Sequence, residues 1–390
     1  MRQNPNFTPF RLQNGTYLLP VGQSVSDLRP TLQLNEMGAY IWQLLSCDRT
    51  LPELCALCAD RFSVPAGQSD ELRKDILSFL NILNERGMLL APLPVPGASD
   101  HCCHHLSIAG ISLNLYGPKE AFSEQFAPFE VTASDDAMQN VIVLYGSPAS
   151  HENGILLIRN KELSILELEE KYILLFHETS LVRELHLKKD GSLALFYCIP
   201  QAALAEDLFH AMRFAYLYLA QRHGILAIHS ASILYRGYAW LFSAPSGTGK
   251  STHAALWHDI LNTPYINGDL NLIRAAGDSS SFDARPVVCG LPWCGTSGIC
   301  DTASYPLGGI IFLKQAPSDS ARPLLGDDRV LAFSRRLISP CWDSQMLEQQ
   351  IALSQKITAN ILLCRLFCTR EVSALETIRA EIDQYLEISR

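Results

Sequence analysis

"LFSAPSGTGKSTHAAL", Leu241 to Leu256, is the stretch whose reading decides the fold. The apolar run Tyr238 to Ser243 reads as a strand. It enters a turn carrying Pro245, Gly247 and Gly249, and a helix opens at Lys250 or Ser251 and runs to about Asn262. Strand, glycine-rich turn and helix in that order make a phosphate cradle. The glycines let consecutive backbone N–H groups converge on anionic oxygens, and the helix N-terminus adds positive potential. Ala244, Pro245, Ser246, Gly247, Thr248, Gly249, Lys250, Ser251 and Thr252 are therefore the candidate ATP-binding residues. Lys250 is placed to neutralise the β- and γ-phosphates, and Ser251 to hold Mg2+ through its hydroxyl. Ala244 stands where the usual loop has its first glycine, a mild change provided its φ is negative.

Downstream, "PYINGDLNLIR" reads as a strand with Asp269 near its middle. Asp269 follows Lys250 by 19 residues, room for one helix and a return strand. Its carboxylate can then reach the same metal ion, which prefers hard oxygen ligands beside the phosphates. The competing reading is a plain turn residue after Gly268. Further on, the glycine-rich "LPWCGTSG" lies between two apolar strands. Trp293 there either faces an acceptor or belongs to the core, and Arg285 before it either reaches phosphate or starts a strand.

Upstream, "ILAIHSASILYRGYAWLFSAPSGTGKST" resembles the kinase domain of HPr kinase/phosphorylase and, more broadly, phosphoenolpyruvate carboxykinase. The resemblance spans roughly residues 200 to 315 and extends weakly to the C-terminus. His229 occupies the place of that family's histidine, on a strand before the hairpin that feeds the loop. The resemblance implies an α/β phosphotransferase domain over 201–390 with Lys250, Asp269 and His229 as its catalytic residues. Asp269 would ligate the metal or take the hydroxyl proton; His229 would contact the γ-phosphate or orient Asp269. Two departures matter: Thr252 stands where those kinases carry an acidic residue, and Gly268-Asp269 where they carry an Asp pair. The HPr-kinase-like enzymes of peptide biosynthesis are accordingly the nearer relatives to expect.

The N-terminal region has a different character. "FRLQNGTYLLP" is two apolar runs joined at Asn14-Gly15, a hairpin signal. "TLQLN" alternates as a third strand. Asn35 can cap "EMGAYIWQLL", and Thr50 with Glu53 makes a capping box for a second helix. Apolar residues at 72, 76, 79, 80 and 83 form the stripe of a third helix, which Gly87 ends. The "LLP" strand, "LNEMGAYIWQLL" and "FLNILNERGML" resemble a PqqD-like domain, a small winged-helix module. In that family a leader peptide adds a strand at the sheet edge and rests on the third helix. The resemblance places such a peptide against Thr31, Leu32, Gln33 and Leu34 and the outer helix face at Lys74, Leu77 and Asn81. A generic helix-turn-helix is the alternative, and the lack of a basic helix argues against DNA.

The boundaries expected from composition are a peptide reader at 1–91, a linker at 92–105 around "APLPVPGASD", a β-rich segment at 106–200 and the phosphate-loop domain at 201–390. The 390 residues are 48% hydrophobic and 18% charged, with a formal charge of −9, and no basic patch invites nucleic acid. No apolar run reaches membrane-span or signal-peptide length, so a cytoplasmic protein is expected, its 12 cysteines reduced. Cys55 and Cys58 share a helix without a second pair. "HCCHH" at 101–105 is adjacent in sequence rather than spaced for zinc and reads as linker. Cys364 and Cys368 read as one helical turn apart.

Together the two resemblances imply an ATP- and Mg2+-dependent kinase that phosphorylates a Ser or Thr of a ribosomally made precursor peptide. Other peptide-modifying enzymes and further copies of the chain are the additional partners they allow. A nucleotide-binding chaperone that presents the peptide without turnover, and a small-molecule kinase, are the competing readings.

Overall fold

The computed structural model describes residues 2–21, 30–47, 49–90, 102–132, 137–145, 154–177, 180–276, 285–295, 298 and 301–388. The proline-rich stretch read as a linker lies outside them, apart from the strand noted below. The chain is α/β, with a small N-terminal unit followed by a sheet-rich region.

In the N-terminal unit, Phe7–Leu12, Gly15–Pro20 and Leu32–Leu34 form an antiparallel sheet in that order. Leu12 pairs with Gly15, so the turn residues are Gln13-Asn14, one position earlier than the sequence suggests. Gly15 instead opens the second strand at φ 145°, a conformation only glycine takes freely. Three helices follow: α1 (Glu36–Leu44), α2 (Leu51–Arg61) and α3 (Ser69–Glu85). The Asn35 side chain accepts from the Gly38 N–H, and Thr50 and Glu53 form the reciprocal capping box. Leu72, Ile76, Leu80 and Leu83 turn into a core with Leu18, Ile41, Trp42 and Leu54. Gly87 reverses the chain at φ 68°, and Leu89–Leu90 then pairs with Arg2–Gln3.

The middle of the chain is an eight-stranded sheet from Cys102–Ile108 to Leu193–Cys198. The His-Cys run expected to be linker is therefore its first strand: Cys103, His104 and His105 alternate across a sheet rather than gather around an ion. Helix α4 (Leu204–Arg222) covers this sheet. It is pinned by Tyr216 Oη donating to the Ile108 carbonyl at 3.0 Å and Tyr218 Oη to that of Lys189 at 2.6 Å.

The C-terminal sheet carries three parallel neighbours, Tyr238–Ser243, Ser304–Gln315 and Leu362–Cys368. Their near-continuous apolar runs fit strands covered on both faces. Helices α5 (Lys250–Leu261) and α8 (Val372–Ile388) pack on one face; α6 (Asp327–Ser334) and α7 (Ser344–Thr358) pack on the other. Gly308 and Gly309 admit Trp240 so closely that a Cβ on either would lie within 3.0 Å of its ring. Cys364 and Cys368 are buried, but on a strand: β-branched and aromatic neighbours are few there, and the helical spacing misleads.

Candidate functional site

The loop after Tyr238–Ser243 has the backbone that a phosphate cradle needs. Gly247 and Gly249 sit at φ 74° and 111°, and Gly249 is the N-cap of α5. An added Cβ at either would meet no atom within 4 Å, so glycine serves the backbone angle rather than clearance. Ala244 is buried and outside the positive-φ residues, which is why a methyl is accommodated where glycine is usual. Ser251 and Thr252 are exposed on the first turn, beside the N–H groups left without helical partners.

Lys250 is only 8% exposed, and its ammonium donates to the Ala244 carbonyl at 3.2 Å. Burial lowers its pKa from the ordinary lysine value; the nearby Asp269 charge opposes this and Arg336 adds to it. Lys250 and Asp269 therefore lie within electrostatic reach, and a bound polyphosphate would favour the charged form of the lysine and oppose the effect of burial.

Asp269 is not in the middle of a strand, as its sequence suggests. The strand breaks into Tyr265–Asn267 and Leu270–Arg274, which join different neighbours. The Asn267 carboxamide oxygen accepts from the N–H groups of Asp269 (3.0 Å) and Leu270 (3.2 Å), making the bend. His229 ends Ile225–His229 directly opposite Leu270, and its Nε2 donates to Asp269 Oδ1 at 3.0 Å. The His229 carbonyl is itself held by Ser243 Oγ at 2.7 Å, so the strand that feeds the loop also fixes the histidine.

One cavity borders the loop and another borders the His229–Asp269 pair. One, of about 220 Å³, is lined by Thr248, Gly249, Thr252, His253, Leu256 and the segment Cys368–Arg370. The other, of about 540 Å³, is lined by His229 and Asp269 together with Arg213, Phe214, Ile338 and Trp342. In a phosphate loop the lysine faces the β- and γ-phosphates, and here Lys250 lies within electrostatic reach of Asp269.

The donor set suits Mg2+. Among the described residues no group of three or more His, Cys, Asp or Glu side chains gathers. An ion at this loop would thus take a hydroxyl and a carboxylate from the protein and the rest from phosphate and water, which is magnesium's habit.

Other expectations are redistributed. Gly295 packs so tightly on Asp269 that a Cβ there would lie 2.7 Å from the Asp269 Cβ, so the "LPWCGTSG" loop braces the carboxylate. Trp293 is core: 3% exposed, with Nε1 donating to the Phe209 carbonyl at 2.8 Å. Arg285 lies over the rings of Tyr238 and Tyr385, at the far end of the strand from the loop, and does not face phosphate. Among the described residues ten cysteines are free, but Cys294 is disulfide-bonded, against the expectation that every thiol is reduced; a compartment argument from composition says nothing of a local pair. Sequence reasoning missed Asn267, Arg213 and Arg336. Asn two residues before Asp is a readable turn signal; the two arginines, on a helix and a distant loop, carry none.

In the N-terminal unit Leu32–Leu34 is an edge strand among the described residues, paired with Gly15–Pro20. The Thr31 carbonyl accepts from the Arg86 guanidinium at 2.9 Å. Lys74, Leu77 and Asn81 are exposed on α3, Leu77 at 44%. No described helix is long and apolar enough to cross a membrane.

Comparison with known proteins gives three findings. The family described as coenzyme PQQ synthesis protein D (PqqD) matches residues 27–89. No curated protein matches the chain. Among solved structures, the chain is similar to the Hpr(Ser) kinase/phosphatase from Coxiella burnetii at 9% identity and a TM-score of 0.25, over 42% of this chain and 99% of that one.

Proposed function

We propose that the protein is an ATP-dependent kinase acting on a Ser or Thr hydroxyl of a ribosomally made precursor peptide whose leader is held by the N-terminal unit. The His229–Asp269 pair on the wall of a cavity of about 540 Å³, with Lys250 within electrostatic reach of the carboxylate, carries this reading. The PqqD match at residues 27–89 supports the peptide half. An edge strand beside an exposed helix face is what strand addition requires.

In the proposed step the acceptor hydroxyl enters from the larger cavity. Its oxygen forms a bond to the γ-phosphorus as the bond from that phosphorus to the β,γ-bridging oxygen breaks, and ADP is the leaving group. The hydroxyl proton passes to the Asp269–His229 pair; the Nε2–H of His229 holds Oδ1 and leaves Oδ2 free to accept it. Lys250 and the loop N–H groups meet the phosphate charge. Alignment and charge neutralisation are most of what this chemistry asks of a protein. The Ser251 hydroxyl is the group that would hold Mg2+, joined by the Asp269 carboxylate in the alternative in which that group ligates the metal rather than takes the proton; when bound, the ion supplies further positive charge at the phosphates.

The test is incubation of the full chain with ATP, Mg2+ and the peptide encoded by a neighbouring short open reading frame, read by mass spectrometry. The expected product carries one added phosphoryl group, and Lys250→Ala forms it at least roughly 10³-fold more slowly. Thr252 and Gly268, standing where kinases of this kind carry carboxylates, favour a second reading: a nucleotide-gated chaperone. Tight ATP binding with no ADP formed in the presence of peptide would select it. Phosphorylation of a small metabolite with the N-terminal unit removed would select a small-molecule kinase.

A further inference from the structure

The wall of the acceptor cavity carries a cation that no motif touches. Arg213 lies midway along α4 and lines the cavity with His229 and Asp269. The helix is held on both sides of it, by buried Met212 and by Tyr216, whose hydroxyl is bonded to the Ile108 carbonyl. The Arg213 backbone is therefore fixed relative to the site. Its guanidinium has neither a hydrogen bond nor an ion pair among the described residues. Burial draws its pKa below the ordinary arginine value, partly offset by the charges of Asp269 and Glu162. A guanidinium partly withdrawn from water, with no hydrogen-bond partner among the described residues, is better placed when an anion meets it. Asp269 does not fill that role, since its resolved partner is His229.

Resting on the kinase reading above, we propose that Arg213 is a catalytic residue that clamps the transferring phosphoryl group from the acceptor side, opposite Lys250. As the acceptor oxygen–phosphorus bond forms and the bond to the β,γ-bridging oxygen breaks, charge spreads over the three oxygens of the moving group. Lys250 meets that charge from the loop and Arg213 from the cavity, while the proton goes to the Asp269–His229 pair and ADP departs. A planar fork of donors suits two phosphoryl oxygens at once, which a lysine's point charge does not. The apolar remainder of the wall, Phe214, Leu217 and Trp342, excludes water around the contact and strengthens it.

The experiment uses full-length wild type, Arg213→Met and Arg213→Lys. Calorimetry first measures inorganic phosphate binding to the protein loaded with ADP and Mg2+. Wild type binds, and Arg213→Met weakens phosphate by about tenfold or more while ADP affinity stays within roughly threefold. Arg213→Lys recovers only part of the loss. ATP turnover, followed as ADP release, falls roughly 10³-fold in Arg213→Met, the range an arginine at a phosphoryl group commands. Equal phosphate affinity in wild type and Arg213→Met, with both folded by thermal melt, overturns the assignment whether or not wild type turns over ATP. Should Arg213→Met not fold, Arg213→Lys with wild-type phosphate affinity and turnover does the same. Phosphate binding that depends on Arg213 without any ADP formed sinks the kinase reading instead. Loss of the Arg213→Met effect in an Asp269→Asn background shows a mere counter-ion to the carboxylate and also overturns the proposal.

Discussion

The N-terminal unit and the phosphate-loop unit offer their groups in opposite ways. The first presents a backbone edge at Leu32–Leu34 and the exposed Leu77, with its side-chain core turned away. The second fixes its candidate groups in place: Lys250 is buried, and Asp269, though its side chain is 46% exposed, is gripped by Asn267, His229 and Gly295. Backbone recognition tolerates changes of side chain, because the hydrogen bonds belong to every residue type. A charge-lined cradle does not, because each cation answers a particular oxygen and each carboxylate a particular proton. The same chain should therefore be brittle at one site and forgiving at the other.

The sharpest way to break that contrast is at the lysine. Lys250→Ala should lower phosphoryl transfer by roughly 10³-fold or more, with leader-peptide binding unchanged by fluorescence anisotropy. Asp269→Asn keeps the shape of the bend, since Asn267 bonds the backbone N–H groups rather than the carboxylate. It should cut turnover by about 10²-fold without loosening ATP. Wild-type turnover in Asp269→Asn would show that the carboxylate neither holds metal nor takes a proton.

These predictions rest on features of unequal legibility. The caps at Asn35 and Thr50, the stop at Gly87 and the glycine angles of the loop are local, each set by one residue and its near neighbours, and they can be read from sequence. The break at Gly268-Asp269 and the strand at Cys102–Ile108 depend on which distant strand each segment joins, and pattern alone misplaces them. Trp293 looks functional beside Gly290, Gly295 and Gly298, yet it lies against Phe209 and Tyr216, over seventy positions earlier in the chain. Arg213 is the extreme case, because only the crossing of α4 over the cavity beside His229 brings it to Asp269.

A second brittle point is thermodynamic. His253 stands 3% exposed behind the loop, edge-on to Phe242, and burial holds its pKa down at about 4 from the ordinary 6.5. The folded protein disfavours the charged ring, whereas the unfolded chain accepts a proton below about 6.5. The contribution to stability is complete above that pH and is lost progressively as pH falls towards 4. The full loss is about 3 kcal/mol. His253→Phe should flatten this part of the profile in urea melts taken between pH 7 and 4. An unchanged slope would mean that the ring is solvated or paired when charged.

The smallest effects belong to the forgiving site, and a matched pair of leucines on α3 measures how forgiving it is. Leu80 is 4% exposed and belongs to the small core; Leu77, on the neighbouring face, is 44% exposed. Leu80→Ala should cost about 2–5 kcal/mol of stability, because it removes buried contacts and leaves a cavity. Leu77→Ala should leave stability within about 0.5 kcal/mol, yet weaken leader peptide by roughly 1 kcal/mol, the worth of about one buried methylene. Turnover at saturating peptide should not move, because the helix face contributes to holding the substrate and not to the transferring group. If Leu77→Ala binds leader as wild type does, the peptide does not rest on this face, and strand addition at Leu32–Leu34 must stand on backbone hydrogen bonds alone.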